Sequence, residues 1–166
     1  MADEFQPQAI FATLRQHEVD FVLIGGLAGM AHGSSFPSYD VDVAYDRGRE
    51  NLERLVHALR ELKATLRGGP PGLPFQLEVK TLENGANFTF TTPFGSLDIL
   101  ADAAGSPRYK SLRDLAIEVE IEGEAVRVAS LDHLIAMKEA AGRTKDKLMA
   151  AEYRVLSDEI RARHDD

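Results

Sequence analysis

The sequence contains no cysteine, so disulfide bonds and thiolate chemistry are excluded. It also has no apolar run near the ~20 residues that a membrane-spanning helix needs. The N-terminal stretch MADEFQPQ is acidic and polar, unlike a signal peptide. These absences favour a cytoplasmic protein that has no membrane partner.

Positive charge is also scarce: Lys and Arg total 19 against 27 Asp and Glu, a formal net charge of −8. Such a chain is a poor general binder of nucleic acid, because phosphate contacts need clustered basic side chains. A local rim for an RNA end could still form, although in surface helices such residues are usually a solvated face. The candidates for this rim are Arg108, Lys110, Arg113, Arg143, Lys145 and Lys147.

A chain of 166 residues is expected to form one domain, 1–166, with a helical C-terminal portion from about 130 to 166. Apolar periodicity and turn residues predict helices over 7–17, 26–32, 49–66, 107–116, 130–141 and 144–163, and strands over 21–25, 39–45, 87–92, 96–100, 117–122 and 125–129. The segment 75–82 fits either a helix or a strand, and GGPPGLP at 68–74 is expected to be a loop.

An acidic pair lies in the second predicted strand. Asp40 and Asp42 are two residues apart, so both carboxylates point to one face of the strand, while Val41 and Val43 point to the other. Two carboxylates on one face repel each other unless a cation lies between them. Mg²⁺ prefers oxygen ligands and is usually held by one or two carboxylates plus substrate phosphates. The pair therefore predicts a site for Mg²⁺ or Mn²⁺.

A third carboxylate, Asp98, lies inside the apolar run SLDIL. Aspartate is unfavourable in a strand and costly to bury without a partner. A single such residue usually caps a turn or pairs with an arginine, but three in two strands favour metal binding. Calcium of the EF-hand type is excluded, because Ala44 and Tyr45 occupy the fifth and sixth loop positions. Asp46 is instead expected to cap the helix that follows it.

Two glycines and a serine-rich loop precede the acidic pair. Gly25 and Gly26 end the first strand and begin a short helix, where backbone N–H groups could face a phosphate. Alone this signal is weak, since the motif is neither G-x-G-x-x-G nor a Walker A loop. Ser34, Ser35 and Ser38 stand between the glycines and the acidic pair as possible phosphate donors.

Taken together, these motifs resemble the signature of the nucleotidyltransferase superfamily, the polymerase-beta-like enzymes. The shared pattern is an apolar residue, Gly25-Gly26, thirteen residues, Asp40-Val41-Asp42-Val43 and a later Asp98. The segment LDHLIAMKEAAGRTKDKL is similar to one in AbiEii-type toxins of bacterial toxin–antitoxin systems. The resemblance extends from about Phe21 to Leu148. It implies an α/β (α+β) nucleotidyltransferase fold, with a mixed twisted sheet flanked by helices and a helical C-terminal end.

The resemblance also implies an activity and roles for particular residues. Mg²⁺ would bind Asp40, Asp42 and Asp98, and Asp98 would also assist deprotonation of the nucleophile. An NTP would supply the transferred nucleoside monophosphate.

The nucleotide would lie near Gly25. Gly26 and Ser38 would contact its phosphates, and Lys138 would neutralise triphosphate charge. Asp146 would belong to the catalytic set, or would only cap the helix junction or form a salt bridge with Arg143. His32 and the other four histidines lack metal-ligand spacing, so His32 is expected to be structural.

Three functions remain open from the sequence. The first, which the resemblance favours, is metal-dependent transfer to an RNA acceptor such as a tRNA 3′ end, by a toxin with a possible cognate antitoxin partner. The second is transfer to a protein side chain or to a small hydroxylated molecule such as an aminoglycoside, which suits the acidic charge somewhat better. The third is a non-catalytic nucleotide-binding or antitoxin-like module, against which the three aspartates argue.

Overall fold

The sheet at the centre of the fold is mixed, as expected. The computed structural model describes residues 4–68 and 75–164, so all of the predicted loop 68–74 except Gly68 lies outside the described residues. Within the described part, the elements are α1 (Pro7–Gln16), β1 (Phe21–Ile24), α2 (Gly25–Ala31), β2 (Asp40–Tyr45), α3 (Arg49–Glu61), β3 (Thr65–Leu66), α4 (Val79–Asn84), β4 (Asn87–Thr92), β5 (Gly95–Leu100), α5 (Tyr109–Leu115), β6 (Ile117–Ile121), β7 (Glu124–Val128), α6 (Leu131–Ala141) and α7 (Thr144–His164).

Seven strands pair in the order β3-β4-β5-β2-β1-β7-β6. The β2–β5 and β1–β7 pairs are parallel, and the other four pairs are antiparallel. All four residues of β1 are buried, as a central strand covered on both faces requires. Helix α1 packs against α3 and β7, while α2 contacts β1, β2 and α6. The predicted α/β architecture with helices at the C-terminal end is confirmed.

Two predictions about α3 are wrong. The helix was expected to reach Leu66, but it ends at Glu61, and Lys63 takes a left-handed conformation with φ of 54° that turns the chain into β3. Gly48, and not Asp46, is the N-cap of α3, and no side chain caps it. The backbone carbonyl of Asp46 instead accepts a 2.8 Å hydrogen bond from the Nδ2 of buried Asn51.

Several local predictions are confirmed by backbone geometry. The ambiguous segment 75–82 becomes α4 from Val79 onward, and β4 with β5 forms the expected hairpin. Glu122 and Gly123, with φ of 50° and 87°, turn the chain between β6 and β7. The Ser130 side chain accepts a 3.2 Å hydrogen bond from the His133 N–H and so caps α6, which ends at Gly142. Among the described residues, no helix is both long and apolar enough to cross a membrane.

Candidate active site

Asp42 and Asp98 lie side by side at the centre of the sheet. Parallel pairing of β2 with β5 sets Asp42 opposite Asp98 and Asp40 opposite Ser96. The alternation predicted for β2 is confirmed, because Val41 is fully buried while Asp40 is exposed and Asp42 half-buried. The strand period of two thus places both aspartates on the face that meets Asp98.

The charges of the two neighbouring aspartates act on Asp42. Burial, and then the charges of Asp98 and Asp40, raise the pKa of Asp42 to about 7. The positive charge of Lys138 acts in the opposite direction and lowers the pKa of Asp42, which indicates that the Lys138 ammonium lies near the same site. A cation bound beside these carboxylates would stabilise the ionised form of Asp42.

The donor set fits a hard divalent cation, since it consists of carboxylate oxygens. Within residues 4–68 and 75–164, however, no three His, Cys, Asp or Glu side chains are grouped closely enough to enclose one ion. Asp42 and Asp98 approach each other, and Asp40 stands at the exposed start of β2. The assignment of Asp40, Asp42 and Asp98 as metal ligands therefore stays a prediction.

The two glycines lie at the junction of β1 and α2, beside Asp42 and Ser38. The chain passes from β1 directly into α2, and Gly25 takes a φ of 76° at the junction. A Cβ atom built on Gly25 would lie 3.0 Å from the Cγ of Asp42 and closer still to its Oδ2. A Cβ atom built on Gly26 would lie 2.9 Å from the Cβ of Ser38. Both positions therefore need glycine, because only a bare backbone can approach these side chains.

The serine-rich loop between α2 and β2 is held by a glutamate of α7. The hydroxyls of Ser34 and Ser35 both donate to the carboxylate of Glu152, and the Ser35 N–H donates to its Oε2 at 3.1 Å. Burial raises the pKa of Glu152, but the hydrogen bonds from the two serines outweigh it and hold the pKa below its ordinary value. Ser34 and Ser35 are thus occupied by Glu152, and Ser38 remains the serine next to the glycines.

Glu152→Gln is expected to loosen this loop, because the amide keeps one oxygen acceptor in place of two. We expect the unfolding free energy to fall by about 1 kcal/mol and amide exchange in 33–38 to accelerate. Urea denaturation and hydrogen exchange measure the two effects. Glu159→Gln, on an exposed position of the same helix, is the matched control. Unchanged exchange in the loop would contradict the proposed contact.

Lys138 and Asp146 meet where α6 passes into α7. The Lys138 Nζ lies 3.5 Å from Asp146 Oδ1, and the two side chains are 18% and 2% exposed. Arg143 donates to Asp146 Oδ2 through its backbone N–H at 3.3 Å and through Nε at 2.8 Å. The Arg143 hydrogen bond holds the pKa of Asp146 below its ordinary value, and the charge of Lys138 lowers it further. The structure thus shows Asp146 in contact with Lys138 and Arg143, and a catalytic role stays a prediction.

Asp146→Asn should lower the unfolding free energy at neutral pH by about 2 kcal/mol, because a buried charged acceptor is lost. The pKa of Asp146 is lower in the folded than in the unfolded protein, so its stabilisation is present above the unfolded pKa. This stabilisation is lost as the pH falls through the folded pKa. Urea denaturation should therefore show a large difference between wild type and variant at about pH 7 that shrinks as the pH falls below the ordinary pKa of 3.8. Asp158→Asn, exposed on α7, is the control, and a pH-independent difference would contradict this account.

Arg67 is a site residue that the sequence did not indicate. Its Nη2 lies 2.8 Å from Asp98 Oδ1, which makes it the partner of the third aspartate. Arg67 follows β3, a strand of two residues inside a predicted helix, so no pattern pointed to its neighbour in space. The only usable signal was general: an aspartate inside a strand requires a partner.

Other predicted residues lie away from the aspartates or have structural contacts. His32 donates through Nε2 to the carbonyl oxygen of Ala129 at 2.8 Å, a structural contact of the kind expected. Arg108, Lys110 and Arg113 line a cavity of about 460 Å³ beside Tyr45, at the opposite end of β2 from Asp40. The remaining basic candidates, Arg143, Lys145 and Lys147, lie at the junction of α6 and α7 and do not line that cavity.

Similarity to known proteins is visible in the fold and not in the sequence. No protein-family model matches the chain, and no curated protein sequence matches it. Among solved structures, the lincosamide antibiotic adenylyltransferase LnuA, in a lincomycin-bound form, superposes with a TM-score of 0.62 at 12% identity and covers 92% of this chain and 99% of its own. A candidate nucleotidyltransferase from Thermotoga maritima has a TM-score of 0.57 at 15% identity, with coverage of 92% and 96%.

The antibiotic-resistance factor ANT(2'')-Ia is a third similar structure, with a TM-score of 0.50 at 16% identity and coverage of 95% and 94%. At such identities the similarity establishes architecture only. The chain has the nucleotidyltransferase fold.

Proposed function

We propose that this protein is a metal-dependent nucleotidyltransferase, which moves a nucleoside monophosphate from an NTP to an acceptor. The observation that carries the proposal is the pairing of Asp42 with Asp98 in neighbouring parallel strands, directly opposite the bare backbone of Gly25. The site thus combines carboxylates that suit a divalent cation with a bare backbone that a phosphate chain can approach closely. Lys138 adds a cation near Asp42.

The residues divide between the two substrates. Gly26 and Ser38 bind the triphosphate, and Lys138, steadied by Asp146, offsets its negative charge. Asp98 accepts the proton of the acceptor hydroxyl, whose oxygen forms a bond to the α-phosphorus while the bond to pyrophosphate breaks. Mg²⁺ or Mn²⁺ held by Asp40, Asp42 and Asp98 would stabilise charge on the attacking and leaving oxygens.

A small hydroxylated molecule is the acceptor that we favour. A cavity of about 790 Å³ adjoins Ser38, a size suited to a small ligand, and it includes Leu27 and Met30 together with Glu4, Glu120 and Glu122. These carboxylates and the net charge of −8 would repel RNA phosphates and attract a cationic small molecule. LnuA, the similar structure with lincomycin bound, is an antibiotic adenylyltransferase.

Transfer to an RNA end, as by an AbiEii-type toxin with a cognate antitoxin, is the second candidate. It is favoured by the segment that spans α6 and α7, where Lys138 and Arg143 of the toxin-like pattern both contact Asp146. Arg143 is largely exposed beside this cluster, where it could meet a phosphate.

The test is incubation of the protein with each labelled NTP, Mg²⁺ and one acceptor pool at a time. The pools are total RNA, protein lysate, and a panel of hydroxylated small molecules that includes lincosamides and aminoglycosides. Label that enters a small molecule supports the first candidate, and label in RNA supports the second. Nucleotide binding without transfer to any pool would overturn the proposed enzyme activity and favour a non-catalytic module.

A further inference from the structure

Arg67 holds Asp98 from a backbone that is itself tied to the sheet. The Arg67 N–H donates to the carbonyl of Thr89 at 2.9 Å, just beyond the end of the β3–β4 pairing. Its Nη1 donates to the carbonyl of Phe90 at 3.2 Å, and its Nη2 donates to Asp98 Oδ1 at 2.8 Å. The backbone of Arg67 is thus anchored to β4, and two hydrogen bonds from its guanidinium place the positive charge beside Asp98.

The guanidinium already supplies the positive charge that Asp98 needs. The Asp98 side chain is 20% exposed and has Asp42 as its neighbour on β2. Arg67 is 40% exposed, so it lies on the open side of the pair and can move into solvent. A divalent cation bound to the same carboxylate would lie close to this fixed positive charge and be repelled by it.

Resting on the proposed function, we propose that Arg67 and a divalent metal compete for Asp98. Without metal, Arg67 holds the Asp98 carboxylate; metal binding releases the guanidinium into the mouth of the site. Arg67 then sets the metal concentration at which the site fills.

The test measures binding of Mn²⁺ alone, by calorimetry or by the electron paramagnetic resonance signal of free Mn²⁺, so that no turnover is needed. Arg67→Gln removes the competitor and is expected to tighten binding roughly two- to fivefold, the range for an exposed ion pair. Arg67→Lys keeps the positive charge but loses the paired N–H donors of the guanidinium. Its Mn²⁺ affinity should therefore lie between those of wild type and Arg67→Gln. Arg49→Gln removes an equal charge from an exposed pair with Glu53 and is the matched control.

The same titration on an Asp98→Asn background separates the possible failures. The competition predicts that Arg67→Gln has no effect once Asp98 is an amide. Unchanged or weaker Mn²⁺ binding by Arg67→Gln, while Asp98→Asn still weakens binding, would overturn the competition alone. If Asp98→Asn leaves the affinity of Arg67→Gln unchanged, Asp98 is no ligand, and the metal assignment in the proposed function falls with the competition.

Discussion

Asp42→Asn should abolish nucleotidyl transfer while making the metal-free protein more stable. As a proposed metal ligand, Asp42 would hold the cation that stabilises charge in the transition state, so we expect the transfer rate to fall by at least ~10³-fold. The label-transfer assay measures this loss. Activity within ten times that of wild type would show that Asp42 is not part of the catalytic site.

The gain in stability follows from the pKa of Asp42, which is about 7 in the folded protein against an ordinary value of 3.8. The folded state thus binds this proton more tightly than the unfolded state, so the wild type loses stability as the pH rises between these values. An asparagine cannot ionise and escapes this loss. The unfolding free energy of Asp42→Asn should exceed that of wild type by about 2 kcal/mol at pH 8, after allowance for partial exposure, and match it near pH 4.

Urea denaturation in the presence of a chelator measures this difference. Asp158→Asn is the matched control, because Asp158 is exposed on α7 and its charge is not among those that raise the pKa of Asp42. A variant that is both inactive and less stable than wild type at pH 8 would point to a structural role for Asp42. Loss of activity with a gain in stability is expected only of a residue kept for function.

The parts of the site that obey a local period could be predicted from the sequence. The strand period of two predicts that Asp40 and Asp42 point to the same face of β2. Two alternating runs joined by a turn predicted the hairpin that contains Asp98 in its second strand. The Ser130 cap likewise follows from short-range geometry, because the side chain reaches an N–H group only three residues away.

Contacts between residues distant in the chain could not be predicted in this way. Glu152 lies 118 residues after Ser34, and Arg67 lies 31 residues before Asp98. The helical spacing of apolar residues continues to Leu66, so it gave no sign of the turn at Lys63. The strand that follows has only two residues, which is too short to show a periodic pattern. Lys138 and Asp146 were identified by resemblance, and their contact depends on how α7 turns back along α6.

Gly25→Ala is expected to damage the site more than an equally strained substitution elsewhere. Gly25 has a φ of 76°, and Gly123, in the β6–β7 turn, has a φ of 87°, so alanine costs about 1 kcal/mol of backbone strain at either position. A Cβ atom at Gly123 meets nothing within 4 Å, whereas one at Gly25 collides with the Asp42 carboxylate.

Only Gly25→Ala must therefore displace Asp42. We expect a further loss of 1–3 kcal/mol in unfolding free energy from overpacking, and about a 100-fold loss in transfer rate from the shifted carboxylate. Urea denaturation and the label-transfer assay on the two variants distinguish the effect of backbone strain, which both share, from that of the collision with Asp42, which only Gly25→Ala has. Gly123→Ala should keep the wild-type rate, because the added Cβ atom meets nothing within 4 Å and displaces no side chain. Equal rates for the two variants would mean that the approach of Gly25 to Asp42 serves packing and not catalysis.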